Sequence, residues 1–166
     1  MGERVAFTRA RGGGFNLRLN ADERALVARL LDEFAALLTN PVDPSMTERL
    51  FPVVHPNDQE QEAEYQRLMR DELVASRLAG IATVQAVLDG TSSSNGRSNG
   101  KSVTFDETQL SALMQALNGI RLVLGTLLDI NDDEEDLPEN ALAPEYQLYA
   151  YLSWVLDSAV HVLSGI

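Results

Sequence analysis

The sequence predicts a mainly α single domain: a bundle of about four to five helices with a small N-terminal β-hairpin, which becomes a three-stranded sheet if a short run near residue 103 joins it. Three observations predict this. Long stretches place apolar residues three and four apart. Strict alternation is confined to VAFTR (5–9) and FNLRL (15–19). No alternation of strands with helices runs along the chain, which argues against a doubly wound sheet. The 166 residues fit one domain spanning 1–166, and 45% apolar content suffices for a core at that length.

The hairpin spans 5–19. Gly12, Gly13 and Gly14 permit the positive φ of its turn. Val5, Phe7, Phe15, Leu17 and Leu19 form one apolar face. A lone hairpin is marginal in water, so this face is expected to pack on helices. Asn20 and Glu23 have the spacing of a capping box. The helix they open carries Leu26, Val27, Leu30, Leu31, Phe34, Leu37 and Leu38 as a stripe and ends at Asn40-Pro41. Pro44, Ser45 and Glu48 mark a short helix to about Leu50.

Pro52 and Pro56 then bracket an extended elbow, LFPVVHPNDQ (50–59). Asn57 and Glu60 repeat the cap spacing and predict a long helix from about Asp58 to Leu88. The polar cluster at Arg70-Asp71 predicts a break or bend, and Gly90 a C-terminal cap. GTSSSNGRSNGKS (90–102) reads as a flexible loop. VTF (103–105) suits a third strand. Asp106 and Gln109 cap a helix with Leu110, Leu113, Leu117, Ile120 and Leu124 on its apolar face. DINDDEEDLPEN (129–140) reads as an acidic loop. Pro144 opens the last helix, which runs to about Leu163 and is apolar on nearly every side. Such a helix is expected at the centre of a bundle or at an interface.

The net charge of −12 opposes non-specific binding to nucleic acid or anionic membrane. The exception is the N-terminus, where Arg4, Arg9, Arg11 and Arg18 stand against Glu3 and make a candidate DNA or partner contact. There is no cysteine, which excludes a disulfide, a thiolate nucleophile and a zinc-thiolate site. That fits a cytoplasmic location. MGERVAFTRARGGG lacks the apolar run of a secretory signal. Residues 146–166 are interrupted by Gln147, Asp157 and His161 and suit a buried helix better than a membrane span.

The catalytic inventory is thin. Asp129, Asn131 and Asp133 match the first ligands of an EF-hand loop, but Glu134 replaces its glycine and Asn140 its bidentate glutamate. Asp157 and His161 share a helical face, as an oriented imidazole needs, without a third partner motif. Glu60, Glu62, Glu64 and Glu72 lack the Glu-x-x-His element of di-metal bundles, and Glu60 and Glu64 read instead as surface partners for Arg67 and Arg70. The triple glycine, with Arg9 and Arg11 beside it, joins two strands, whereas phosphate loops feed a helix N-terminus. Neither G-x-S-x-G nor H-E-x-x-H occurs. No metal, cofactor or catalytic residue is expected. His55 in the elbow reads as structural.

Three stretches carry a family resemblance: RLFP (49–52), RDELVASRL (70–78) and ALNGIRLVLGTLL (116–128) with the acidic run after it. With the closing helix YQLYAYLSWVLDSAV (146–160) they resemble DUF2017, an actinobacterial family of helical proteins. The resemblance implies no known enzymatic activity. It implies a genomic setting beside the ClpS protease adaptor, and, for one branch, oxidative-stress transcription regulators that switch through a cysteine pair. That switch cannot operate in a chain without cysteine. The resemblance also makes the elbow residues Arg49, Phe51, Pro52 and His55 a candidate partner-facing surface.

These readings together predict a non-enzymatic cytoplasmic regulator or interaction protein. Its expected partner is a protein, either transcription machinery or a protease adaptor, and a homodimer and direct DNA contact are further expectations. The alternatives are a small-ligand or metal-binding helical enzyme using His55, Asp157 or His161, and an accessory to ClpS-linked proteolysis.

Overall fold

The computed structural model describes residues 6–40, 50–51, 53–93, 102–128 and 144–164, with backbone alone at 90–93. The chain runs β1 (Phe7–Arg9), β2 (Phe15–Arg18), α1 (Ala21–Thr39), α2 (Gln59–Ser93), β3 (Ser102–Phe105), α3 (Glu107–Leu127) and α4 (Pro144–Ser164). Four helices and one small sheet bear out the mainly α reading. The expected short helix at 44–50, the acidic loop at 129–140 and most of the loop at 90–102 lie outside the described residues, as do Arg4, Val5, Arg49 and Pro52.

The three strands form an antiparallel sheet in the order β1-β2-β3, so the third strand forms as its apolar run suggested. Phe7 faces Leu17, which faces Val103, and Phe15 faces Phe105. All five side chains are buried. Alternation turns the intervening residues outward, and there Thr104 donates to Asn16 Oδ1 at 2.6 Å. The turn holds Gly12, Gly13 and Gly14 at φ of 85°, 99° and 91°, where a side chain would be strained.

Both predicted capping boxes form at α1 and α3. Asn20 Oδ1 accepts from the Glu23 amide at 2.8 Å, and Asp106 Oδ1 from the Gln109 amide at 2.7 Å. At α2 the cap is Asp58, one residue later than expected, and it accepts from the Gln61 amide at 3.0 Å. α2 also passes through Gly90 to Ser93, beyond its expected end. A glycine costs a helix about 1 kcal/mol, and no proline follows to enforce a stop.

α2 runs unbroken through Arg70-Asp71, where no proline or glycine interrupts the backbone. What changes at that point is burial. No apolar α2 side chain before Leu73 belongs to the core or packs on it, whereas Leu73, Val74, Leu78, Ile81, Val84, Val87 and Leu88 all do. The 35 residues of α2 span about 52 Å, against about 30 Å for the other helices. Its first half is therefore an arm that adds no apolar side chain to the core.

The centre of the bundle is α3, not the apolar α4. α3 touches α1, α2, α4 and β3. It buries Ala116, Gly119 and Gly125 among larger residues, and small side chains let neighbours approach on several sides. α4 buries Leu152, Val155, Leu156 and Ala159 but leaves Trp154, Val160 and Leu163 exposed. Its tyrosines and tryptophan have polar tips that suit a half-covered helix. By length and composition α3 alone could cross a membrane among the described helices, yet half of its apolar span is buried inside the bundle.

Candidate functional site

The elbow is anchored from α2 at four points. Leu50 and Phe51 are buried in the core, at 4% and 6% exposure. The Arg77 guanidinium donates to the Leu50 carbonyl at 3.4 Å, and Arg70 lies 4.8 Å from the centroid of the Phe51 ring. Further along, Glu62 Oε1 accepts from the amides of Val54 and His55 at 2.9 and 2.7 Å. The His55 ring meets Tyr65 edge-on at 5.9 Å. His55 is thus packed by an aromatic ring, with its backbone amide held by Glu62.

Arg77 also reaches the middle of α3. A Cβ at Gly119 would stand 2.6 Å from Phe34 Cζ and 3.2 Å from Arg77 Nη1. The missing side chain of Gly119 is therefore what lets α1, α2 and α3 close around the Arg77 guanidinium. Burial pulls Arg77 below its usual range, but an arginine stays charged at neutral pH.

The sequence reading missed Arg70 and Arg77 as elbow anchors. A signal existed. With Leu73, Val74, Ile81, Val84 and Leu88 they fall on one helical stripe, so two cations lie inside an otherwise apolar face. Glu62, read as one of several surface carboxylates, is the fastener of the elbow. Its backbone bonds span eight residues at most and follow no standard cap pattern.

Glu62 makes the elbow sensitive to acid. Hydrogen bonds from Gln66 and from the His55 and Val54 amides hold its carboxyl below the ordinary value of 4.5. A lowered carboxyl pKa contributes stability above the ordinary value, and that contribution is lost as pH falls through the lowered one. The Val54 and His55 amide resonances are expected to shift together with an apparent pKa under 4.5, and Glu62→Gln to abolish that step. Amide NMR titration checks this, and unchanged shifts down to pH 3 would refute the fastening role.

Arg9, Arg11 and Arg18 do not share one surface. Arg9 pairs in register with Phe15, on the helix-facing side of the sheet. Its guanidinium donates to the Val162 carbonyl at 3.0 Å, satisfying an end group of α4, and lies 5.7 Å from the Phe15 ring centroid. Arg18 pairs with Ser102 and points to the opposite side. Arg11 is exposed in the turn. Asp157 and His161 are both exposed on α4. Among the described residues no group of three or more His, Asp and Glu side chains is placed to hold a metal ion.

The three stretches that carry the resemblance thus meet at one junction: Leu50 and Phe51, Arg70 and Arg77, and Gly119. A family model described as a domain of unknown function, DUF2017, matches residues 4–163. The chain belongs to the DUF2017 family. No curated protein and no solved structure matches it. In this DUF2017 domain, the matched region covers every described element but the last residue of α4.

Proposed function

We propose that this DUF2017 protein is a non-enzymatic regulatory or interaction protein that binds a protein partner through the elbow and the first half of α2. One observation carries the reading. Val53, Val54 and Leu68 are 61%, 49% and 61% exposed, on segments that are fastened in place, and none of the three packs on the core. Exposed apolar groups held on a rigid frame are what an interface needs. Arg70, Arg77 and Glu62 supply that rigidity from beneath.

A photo-crosslinking residue at position 53, introduced in the native host, tests the reading. It is expected to trap a defined protein, and Leu68→Glu is expected to reduce that product at least tenfold. A crosslinker at the equally exposed Leu127 is the control. Equal products at 53 and 127, or no effect of Leu68→Glu, would reject the proposal. The identity of the product separates the two partner classes, transcription machinery and a protease adaptor.

A further inference from the structure

We infer that the partner of the elbow and arm is a basic amphipathic helix of another protein, with its apolar face on Leu68, Val53 and Val54 and its lysines or arginines on Glu64, Asp71 and Glu72. This inference rests on the proposed interface and adds the chemistry of what it binds. Tyr65 joins the apolar groups into one surface: it stands one turn before Leu68, and its ring meets His55, next to Val54. An amphipathic helix laid along such a surface is a recurring mode of recognition.

Charge selects the partner. Residues 53–72 carry six carboxylates against Arg67 and Arg70. The packed half of α2, from Leu73 onward, carries one charge of each sign, Arg77 and Asp89. The acidic character therefore belongs to the arm. Glu64, Asp71 and Glu72 stand four before, three after and four after Leu68, so they ring it on its own face. All three are exposed. Among the described residues neither they nor Glu60 have a side-chain hydrogen bond or ion pair, so the expected pairing of Glu60 and Glu64 with Arg67 and Arg70 does not form.

Glu60 and Glu64 lie one turn apart, and like charges at that spacing destabilise a helix. The arm adds no apolar side chain to the core that would offset this. Cations from a partner would relieve the repulsion while its apolar residues cover Leu68. Other occupants fit less well. Phosphates of nucleic acid and anionic lipid headgroups are repelled by the carboxylates. A second copy crossing antiparallel at Leu68 would set Glu64 of one chain against Glu72 of the other, like charge against like.

The probe is a leucine–lysine amphipathic peptide as long as the arm, titrated into the full chain and followed by amide NMR. Saturable shifts confined to residues 53–72 are expected. The same peptide with glutamate for lysine, or with serine for leucine, is expected to bind about tenfold more weakly or not at all. The triple variant Glu64→Gln, Asp71→Asn, Glu72→Gln should lose about tenfold, the combined effect of three exposed charge pairs. Neutralising Glu33, Glu107 and Glu145, which are exposed elsewhere, should leave binding unchanged. Equal losses in the two triple variants, tight binding of the glutamate peptide, or shifts spread over the whole surface would overturn the inference. The crosslink at position 53 separates this inference from the interface reading. A product lost in Leu68→Glu yet unchanged by neutralising Glu64, Asp71 and Glu72 would keep the interface and overturn the basic partner. So would a product made of two copies of this chain.

Discussion

Replacing Gly119 with valine is expected to destabilise the domain by about 3 kcal/mol, the upper end of what overpacking a core costs. The first added carbon already stands 2.6 Å from Phe34 Cζ and 2.9 Å from Phe34 Cε2. Phe34 is only 4% exposed and has no free side to turn to. The remaining neighbour, Arg77, would have to release the Leu50 carbonyl to make room. Phe34→Ala alone should cost about 3–5 kcal/mol as a core truncation. In the double variant the valine refills part of that space, so the combined loss should fall short of the sum by more than 1 kcal/mol. Urea denaturation of the four proteins checks this. Additive losses would show that Gly119 and Phe34 do not share a contact.

Phe51→Ala is expected to cost about 3–5 kcal/mol and to release the elbow. The ring is buried, and its loss also leaves Arg70 without an aromatic face. Phe51→Leu keeps most of the buried volume but not the π face. It should cost only about 1–2 kcal/mol more than the wild type, the sum of a modest packing change and one cation–π contact. Thermal denaturation reads the stability. Limited proteolysis reads the elbow, where cleavage near Val53-Val54 should rise in Phe51→Ala well before global unfolding. An alanine variant as stable as the leucine variant would remove Phe51 from the role of anchor.

How much of this was legible in the sequence depended on the range of the signal. The capping boxes at Asn20 and Asp106 are three-residue patterns, and both form as read. The cap of α2 slipped by one residue because Asn57 and Asp58 are both strong caps, and only the packed elbow selects between them. The polar cluster at Arg70-Asp71 was a true signal given the wrong meaning. It marks where α2 meets the core, which a one-dimensional pattern cannot tell from a break. α4 looked more central than α3 because apolar content counts the tyrosines and tryptophan fully, although their tips suit a surface. Arg9 was beyond reach altogether, since its partner Val162 lies 153 residues away.

The candidate site was legible only in outline. The two prolines and the apolar Leu50 and Phe51 predicted an anchored crossing. The anchors themselves needed tertiary placement, because Arg77 stands 27 residues from Leu50 and acts through a glycine on a third helix.

The unequal burial along α2 has a thermodynamic consequence. Helical hydrogen bonds alone barely hold a segment of this length in water, and tertiary packing supplies most helix stability. From Leu73 onward, opening α2 would tear side chains from the core, so that half can open only when the whole domain unfolds. Before Leu73 the backbone is held by its own ladder and the elbow fastenings. Opening it would cost less than opening the packed half and would leave the bundle intact. α2 is one helix in geometry and two cooperative units in energy, with the boundary at the charged residues Arg70, Asp71 and Glu72.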